Sequence, residues 1–148
     1  MYIEGASHLK PILCTAIGCL GSMIASAFGG FDLGLRILIL LMAVDYVTGL
    51  LVAGVFHASE KTDSGGLESR AGWKGLCRKG VALLIVLVAH CVDQTMGSDL
   101  IRDAVVIGYA INEMISIIEN AGLMGVPVPE RLSQALEVLQ GKEESSRG

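Results

Sequence analysis

Long apolar stretches alternate with short charged segments along the 148-residue chain, and this pattern predicts a small, all-α, polytopic membrane protein. A helix that spans a bilayer needs ~20 predominantly apolar residues. Residues 11–28 carry no charge, and residues 35–56 form a strongly apolar run with Asp45 near its middle. Residues 80–95 contain an uncharged core at 80–92, and residues 101–120 contain a core at 104–118 whose only charge is Glu113; both cores are short for a span. We therefore predict four hydrophobic helices, with three as the alternative.

The segments that connect and follow these helices are polar. Residues 57–79 are predicted to form a charged loop, residues 130–140 a short amphipathic helix and residues 141–148 a tail. The apolar face of the C-terminal helix consists of Leu132, Ala135, Leu136 and Leu139. At this length we expect a single membrane domain, residues 1–148.

Positive charge in the connecting segments predicts the orientation in the bilayer. Five Lys or Arg residues lie in residues 57–79, whereas residues 93–103 contain Arg102 alone. Because loops rich in Lys and Arg stay in the cytoplasm, residues 57–79 are expected on the inside. Four spans then place both termini in the cytoplasm. If the first segment is instead a signal peptide cleaved after Ala27, or stays outside the bilayer, three spans place the N-terminus outside.

Composition and motif content exclude several classes of protein. Charged residues make up 18% of the chain, mean hydropathy is +0.60 and the net charge is −4, which argues against nucleic-acid binding. The spacing of the four cysteines matches neither a disulfide framework nor a zinc site. No third ligand accompanies His90 and Asp93, so we predict no metal. The common catalytic and nucleotide-binding motifs are absent, so the sequence predicts neither an enzyme nor a cofactor.

The segment 101–120 divides most clearly into a polar and an apolar face. At about 100° per residue, its polar or small positions fall within an arc of about 140°. They are Gly108, Tyr109, Asn112, Glu113, Ser116, Glu119 and Asn120. Within one chain the evident partners are Asp45, Thr48 and His90, which are too few for this face. We therefore expect self-association to cover it, or a water-filled lumen to face it. The alternative is a helix that lies flat on the membrane surface.

Polar and small residues inside the first two apolar segments indicate helix packing. An ionised Asp45 in a bilayer costs at least ~2.5 kcal/mol, so its carboxyl group should face the bundle or water, or be protonated. Small residues recur every three to four positions in the first segment and allow helix backbones to approach closely. This face includes Gly18, Ser22, Ala25 and Gly29. It can pack against the chain's own helices or against a second protomer, and both readings stay open.

Four short motifs follow one another between residues 45 and 132. They are Asp45-Tyr46-x-Thr48-Gly49, Gly75-Leu76-x-Arg78-Lys79, Tyr109-x-x-Asn112-Glu113-x-x-Ser116-Ile117-x-Glu119-Asn120 and Gly125-Val126-Pro127-x-Pro129-Glu130-x-Leu132. In this order they resemble the motifs of a bacteriophage holin family that includes phage lysis holins and clostridial toxin-secretion holins. The resemblance covers about residues 35–140.

The resemblance implies a non-catalytic protein that forms a homo-oligomer in the cytoplasmic membrane of a bacterium and opens lesions in the lipid bilayer. A phage endolysin or a toxin then leaves through the lesions, and no direct binding is implied. The motif side chains become candidate gating or pore residues: Asp45, Tyr46, Thr48, Gly49, Arg78, Lys79, Tyr109, Asn112, Glu113, Ser116, Glu119 and Asn120. Two alternatives stay open. One is a small proton- or cation-coupled transporter that uses Asp45 or Glu113. The other is a membrane scaffold that recruits a partner through residues 57–79 or 130–140.

Overall fold

Five α-helices form most of the chain that the computed structural model describes. The description covers the backbone of residues 4–62 and 64–146 and the side chains of residues 10–62 and 64–138. The helices are α1 (Glu4–Ala27), α2 (Leu33–Gly54), α3 (Ser69–Met96), α4 (Leu100–Leu123) and α5 (Glu130–Ser146). No strand occurs within these residues, and the prediction of an all-α protein with a C-terminal helix is confirmed.

The helices fall into two compact units, with the boundary after Asp32. Helix α1 forms the first unit, and helices α2 to α5 form the second. That both act together as one membrane domain stays a prediction.

Three of the described helices are long and apolar enough to cross a membrane. They are α1 over Lys10–Ala27, α2 over Leu33–Gly54 and α3 over Ser69–Met96. Helix α4 has 24 residues, about 36 Å at 1.5 Å per residue, so its length would also suffice. Its composition differs, because it carries Arg102, Asp103, Glu113 and Glu119. The fourth predicted span is therefore the one whose crossing is least favoured by its sequence.

Helix α3 begins earlier than expected. The prediction placed its start at residue 80 and assigned residues 57–79 to a loop, but the helix starts at Ser69. The chain is extended at Glu68 (φ −116°, ψ 123°), and residues 69–79 contain no proline that would interrupt a helix. Their charges suggested a loop, yet Lys and Arg favour helices and extend their charged ends away from the axis. At 28 residues, α3 is about 42 Å long and exceeds a hydrocarbon core of ~30 Å.

Helix α4 is the centre of the second unit, because it packs against α2, α3 and α5. Helices α2 and α3 contact each other much less. The apolar core of the described chain consists of Leu35, Leu38, Met42, Val52, Ala53, Ala82, Val86, Ala89, Val106, Ile111 and Leu136. Side chains on α2 and α3 thus meet mainly through α4, and polar groups on α4 can reach both neighbours.

A buried carboxylate holds the corner between α3 and α4. Asp93 is completely buried, and its Oδ1 accepts hydrogen bonds from Ser98 Oγ (2.6 Å) and the Ile101 N–H (3.2 Å). Its Oδ2 accepts from the Arg102 N–H at 2.7 Å. The first N–H groups of a helix have no partner within the helix, so Asp93 acts as their cap. Gly97, with φ 68°, ends α3 in the left-handed conformation.

Helix α5 continues to Ser146, past the predicted end at residue 140. Gly141 does not end it, because a glycine terminates a helix only where the backbone turns left-handed. On the predicted apolar face, Leu136 is buried whereas Leu132 and Ala135 are exposed. The side chain of Leu139 lies outside the described residues.

Candidate functional site

Polar side chains from three helices meet in the interior of the second unit. Asp45 comes from α2, Lys79 from α3, and Glu113 and Asn120 from α4. Asp45, Glu113 and Asn120 are each 8% exposed or less. The Thr48 hydroxyl group also hydrogen-bonds within this group. We call these five residues the buried polar cluster.

Lys79 links the two acids of the cluster. Its Nζ lies 2.8 Å from Asp45 Oδ2 and also donates a hydrogen bond to Glu113 Oε2. The side chains of all three residues are 13% exposed or less. Buried charges are tolerated only when they are paired, and one cation here serves two carboxylates from two helices. The packing of α2 on α4 therefore depends electrostatically on a residue of α3.

Asn120 connects α4 to α2 in a second way. Its Nδ2 donates to Asp45 Oδ1 at 3.1 Å and to Thr48 Oγ1 at 2.9 Å. The Thr48 hydroxyl in turn donates to the Asp45 carbonyl oxygen at 3.0 Å. Since an amide NH₂ group has two protons, both are used by these two acceptors. The Asp45 carboxylate thus receives Lys79 at one oxygen and Asn120 at the other.

The polar face of α4 has one buried and one exposed edge. Glu113 and Asn120 are buried, Ser116 is half-buried beside the Asp45 carboxyl group, and Asn112 and Glu119 are exposed. At about 100° per residue the buried pair lies on one side of the predicted arc, near 120–140°, and the exposed pair on the other, near 20–40°. The two edges of this polar face therefore lie in different environments, one inside the helix bundle and one exposed.

The expectation that one chain lacks partners for this face is wrong for Glu113 and Asn120. Lys79 is the partner that the sequence analysis missed, because it was placed in a loop rather than on α3. A lysine one residue before an uncharged helical run was the available signal, since its side chain reaches along the helix. The partners expected on α2, Asp45 and Thr48, do contact Asn120.

The other motif residues surround the cluster without joining it. Tyr46 is half-buried, and its Oη would lie 3.6 Å from a Cβ placed on Gly72 of α3. Gly49 adjoins Asn120, where an added Cβ would meet Nδ2 at 3.9 Å. Arg78 is exposed and Tyr109 is half-buried.

In the first unit, one of the four residues predicted to form a packing face does not lie on the helix. Gly18 and Ser22 are exposed on α1, and Ala25 is half-exposed. Gly29 does not continue this face, because α1 ends at Ala27 and Gly29 has φ 80°. The Gly30 N–H closes the helix end on the Ala25 carbonyl oxygen at 2.9 Å. Packing of the remaining small residues against another protomer stays a prediction.

A cavity of about 420 Å³ lies beside the buried polar cluster. Its walls are residues of α3 and α4, with Asp45 of α2 and Lys61 of the connecting loop. They are Asp45, Lys61, Ala71, Lys74, Gly75, Arg78, Lys79, Ala82, Tyr109, Asn112, Glu113 and Ser116. Residues from three of the four motifs therefore line one space. Within the described residues, no group of three His, Cys, Asp or Glu side chains is placed to hold a metal ion.

Comparison with known proteins gives a consistent set of relatives. The bacteriophage holin family matches residues 22–141. An uncharacterized protein of Halalkalibacterium halodurans is 36% identical over 141 residues, which cover 91% of this chain and 98% of the relative. An uncharacterized 14.9 kDa protein of Clostridium perfringens is 35% identical over 126 residues, or 84% of this chain and 89% of the relative.

A relative with a named role comes from a phage. The probable holin of Bacillus phage phi105 is 32% identical over 107 residues, which cover 72% of this chain and 73% of the relative. No solved structure gives a significant match.

Proposed function

Because the chain belongs to the bacteriophage holin family, we propose that it oligomerises in the cytoplasmic membrane of a bacterium and opens lesions that lead to lysis. An endolysin, or a toxin, would leave through the lesion without binding to this chain. The family is not a family of enzymes, and the protein is a membrane protein with three helices long and apolar enough to span. The proposed role needs no catalytic group and no cofactor.

The buried polar cluster is the observation that supports this proposal best. It ties α2, α3 and α4 together through a single cation, Lys79, in a closed arrangement. When that contact is lost, Asp45 and Glu113 are left as buried charges without their counter-ion, which strongly disfavours the closed packing. We therefore assign the cluster the role of a latch that keeps the helices closed until lysis.

Opening of the latch would supply the polar lining of a lesion. Asn112 and Glu119 already lie on the exposed edge of α4, and Glu113 and Asn120 would add the second edge. Lipid cannot satisfy these groups, so they would face water or the same face of a neighbouring protomer. Closed assemblies would pair these faces, and open assemblies would turn them to water.

Inducible expression in a bacterium tests the latch. Membrane potential is followed over time for the wild type, Lys79→Met and the control Arg131→Gln, which removes an exposed charge on α5. We expect sudden depolarisation after a delay in the wild type and the control, and a markedly shorter delay for Lys79→Met at equal protein level. The variant Asp45→Asn/Lys79→Met/Glu113→Gln has no buried charge at these positions and should recover most of the delay. An identical delay in all four proteins contradicts the latch, and steady growth with no depolarisation contradicts the holin function.

One observation favours a second function, a proton- or cation-coupled transporter. The cavity of about 420 Å³ reaches both Asp45 and Glu113, the carboxylates that such a transporter would use. Against this, Lys79 already occupies the position between them where a transported cation would be held. Vesicles that contain the purified chain and carry a pH gradient distinguish a transporter from a protein that forms lesions. Coupled solute uptake without leakage of an entrapped dye supports transport, and dye release supports lesions.

The orientation predicted from charge completes the proposal. The basic residues of the α2–α3 connection and of the start of α3 lie on the cytoplasmic side, and the α3–α4 corner lies outside. The C-terminus is then cytoplasmic if α4 crosses the bilayer, and the N-terminus is cytoplasmic if α1 crosses it. Single cysteines at positions 4 and 145 of a cysteine-free variant test this in intact cells. Labelling of position 145 by an impermeant thiol reagent would show that α4 does not cross. Labelling of position 4 would place the N-terminus outside.

A further inference from the structure

We propose that the cavity between α3 and α4 binds a phosphate group, supplied either by an anionic lipid headgroup or by a soluble phosphate. This proposal does not depend on lesion formation, because it concerns equilibrium binding to the closed chain. It assigns a ligand to this cavity, which has no role in the proposed latch.

The cavity exists because the facing side chains of α3 are small. Ala71, Gly75 and Ala82 line it from α3, and a Cβ added to Gly75 would meet no atom within 4 Å. Lys74 and Arg78 are one helical turn apart on α3, and both line the same cavity as Gly75. Two basic side chains therefore border a space that no side chain of α3 fills.

The charges around the cavity favour an anion. Four cations, Lys61, Lys74, Arg78 and Lys79, and two carboxylates line it, so the formal charge of the lining is +2. Lys79 is engaged by both carboxylates. The other three cations form no ion pair among the residues that the structure describes. They also lie on the exposed rim, so a bound anion would not have to desolvate them fully.

Phosphate is the anion that fits these groups best. A guanidinium group such as that of Arg78 can bind two phosphate oxygens at once, and lysines add point charges. Tyr109, Asn112 and Ser116 line the α4 side and bring neutral hydrogen-bond donors. The cavity volume of about 420 Å³ admits a phosphodiester with part of a headgroup.

The position of the cavity along α3 favours the lipid as the source. Residues 80–92, which follow the basic rim, carry no charge, so the apolar part of α3 begins there. Trp73, the single tryptophan of the chain, is 67% exposed on the charged side of that boundary. Exposed tryptophans and basic residues are typical of the headgroup layer. The phosphates of the inner leaflet would therefore stand at the level of the basic rim of the cavity.

Binding can be measured on the purified full chain in a neutral detergent, with Trp73 fluorescence as the signal. The probes are short-chain phosphatidylglycerol, short-chain phosphatidylcholine and inorganic phosphate, each added separately. We expect a saturable change with phosphatidylglycerol and a roughly tenfold weaker affinity for Lys61→Gln/Lys74→Gln/Arg78→Gln. The control Lys10→Gln/Arg70→Gln/Arg131→Gln removes the same number of charges elsewhere and should bind like the wild type.

A second variant tests the cavity rather than its charge. Gly75→Phe fills the space without altering any charged group, and it should weaken binding as much as the triple substitution does. Circular dichroism and the elution volume of each variant establish that it is folded. A signal from phosphatidylglycerol alone identifies a lipid headgroup site, and an equal signal from inorganic phosphate identifies a soluble ligand. Equal binding by both triple variants, or wild-type binding by folded Gly75→Phe, overturns the proposal.

Discussion

Two of the buried polar groups in the described part of the second unit are built in opposite ways. At the α3–α4 corner, Asp93 is satisfied by groups that follow it by 5 to 9 residues, two of them backbone N–H groups. In the buried polar cluster, Lys79 is separated by 34 residues from each of its two acids, and Asn120 by 75 residues from Asp45. The first group is local and needs only a helix corner. The second exists only when three helices are in place.

This difference indicates which group can act as a switch. The hydrogen bonds of Asp93 persist as long as the corner is folded, whatever α2 does. The cluster loses ion pairs or hydrogen bonds when one of its three helices moves away from the others. A long-range contact between charges therefore suits a reversible closed state, and a local cap suits a fixed corner.

The largest expected effect is that of Lys79→Met on stability. The substitution leaves two buried carboxylates without their cation, which should lower the free energy of unfolding by about 3–5 kcal/mol. The triple variant Asp45→Asn/Lys79→Met/Glu113→Gln should recover most of this loss, because no buried charge is left. Unfolding is measured in detergent or bicelles for the two variants and the wild type. If the triple variant is as unstable as the single one, the cluster is not held by charge pairing.

Replacement of Asp93 should have a smaller and more local effect. Asp93→Ala leaves the first N–H groups of α4 and the Ser98 hydroxyl without an acceptor, at a cost of about 1–3 kcal/mol. Hydrogen exchange should accelerate in the first turn of α4 and stay unchanged around Glu113. The delay before depolarisation should match that of the wild type. Faster exchange around Glu113 would show that the two polar groups are coupled.

The sequence was informative where the structure depends on local pattern. Apolar runs predicted the α-helical class and four hydrophobic helices, of which three are long and apolar enough to span, and helical spacing predicted the polar face of α4. The motif acids Asp45 and Glu113 were singled out because charge is costly in a bilayer, and both lie in the cluster.

The features that the sequence did not predict depend on contacts between residues that are far apart in the chain. Charge in residues 69–79 suggested a loop, and Lys79 was thereby separated from the helix that carries it to Asp45. Asp93 was considered with His90 on the same helix, whereas its partners lie in the following corner. Helical periodicity gives the angle of a side chain but not the neighbour that it meets.

Removal of one hydroxyl group from the buried polar cluster should lower the free energy of unfolding less than replacement of Asp93 does. Thr48→Val keeps the shape of the side chain but loses the acceptor for Asn120 and the bond to the Asp45 carbonyl oxygen. We expect a loss of about 1 kcal/mol in the free energy of unfolding. Thr48→Ser keeps the hydroxyl group and serves as the control. If Thr48→Val is as stable as the wild type and Thr48→Ser is not, the methyl group rather than the hydrogen bond matters.

The smallest effect on stability, but a clear one on function, is expected for Asp45→Asn. An amide at this position keeps an oxygen for Asn120, and Lys79 keeps Glu113 as its counter-ion, so one cation then faces one carboxylate. We expect the free energy of unfolding to change by less than about 1 kcal/mol. The latch nevertheless loses its charge contact between α2 and α3. The delay before depolarisation should therefore shift clearly at equal protein level, relative to Asp99→Asn, which neutralises an exposed acid at the start of α4. An unchanged delay would mean that Asp45 acts only as a hydrogen-bond acceptor and that the switch lies elsewhere in the chain.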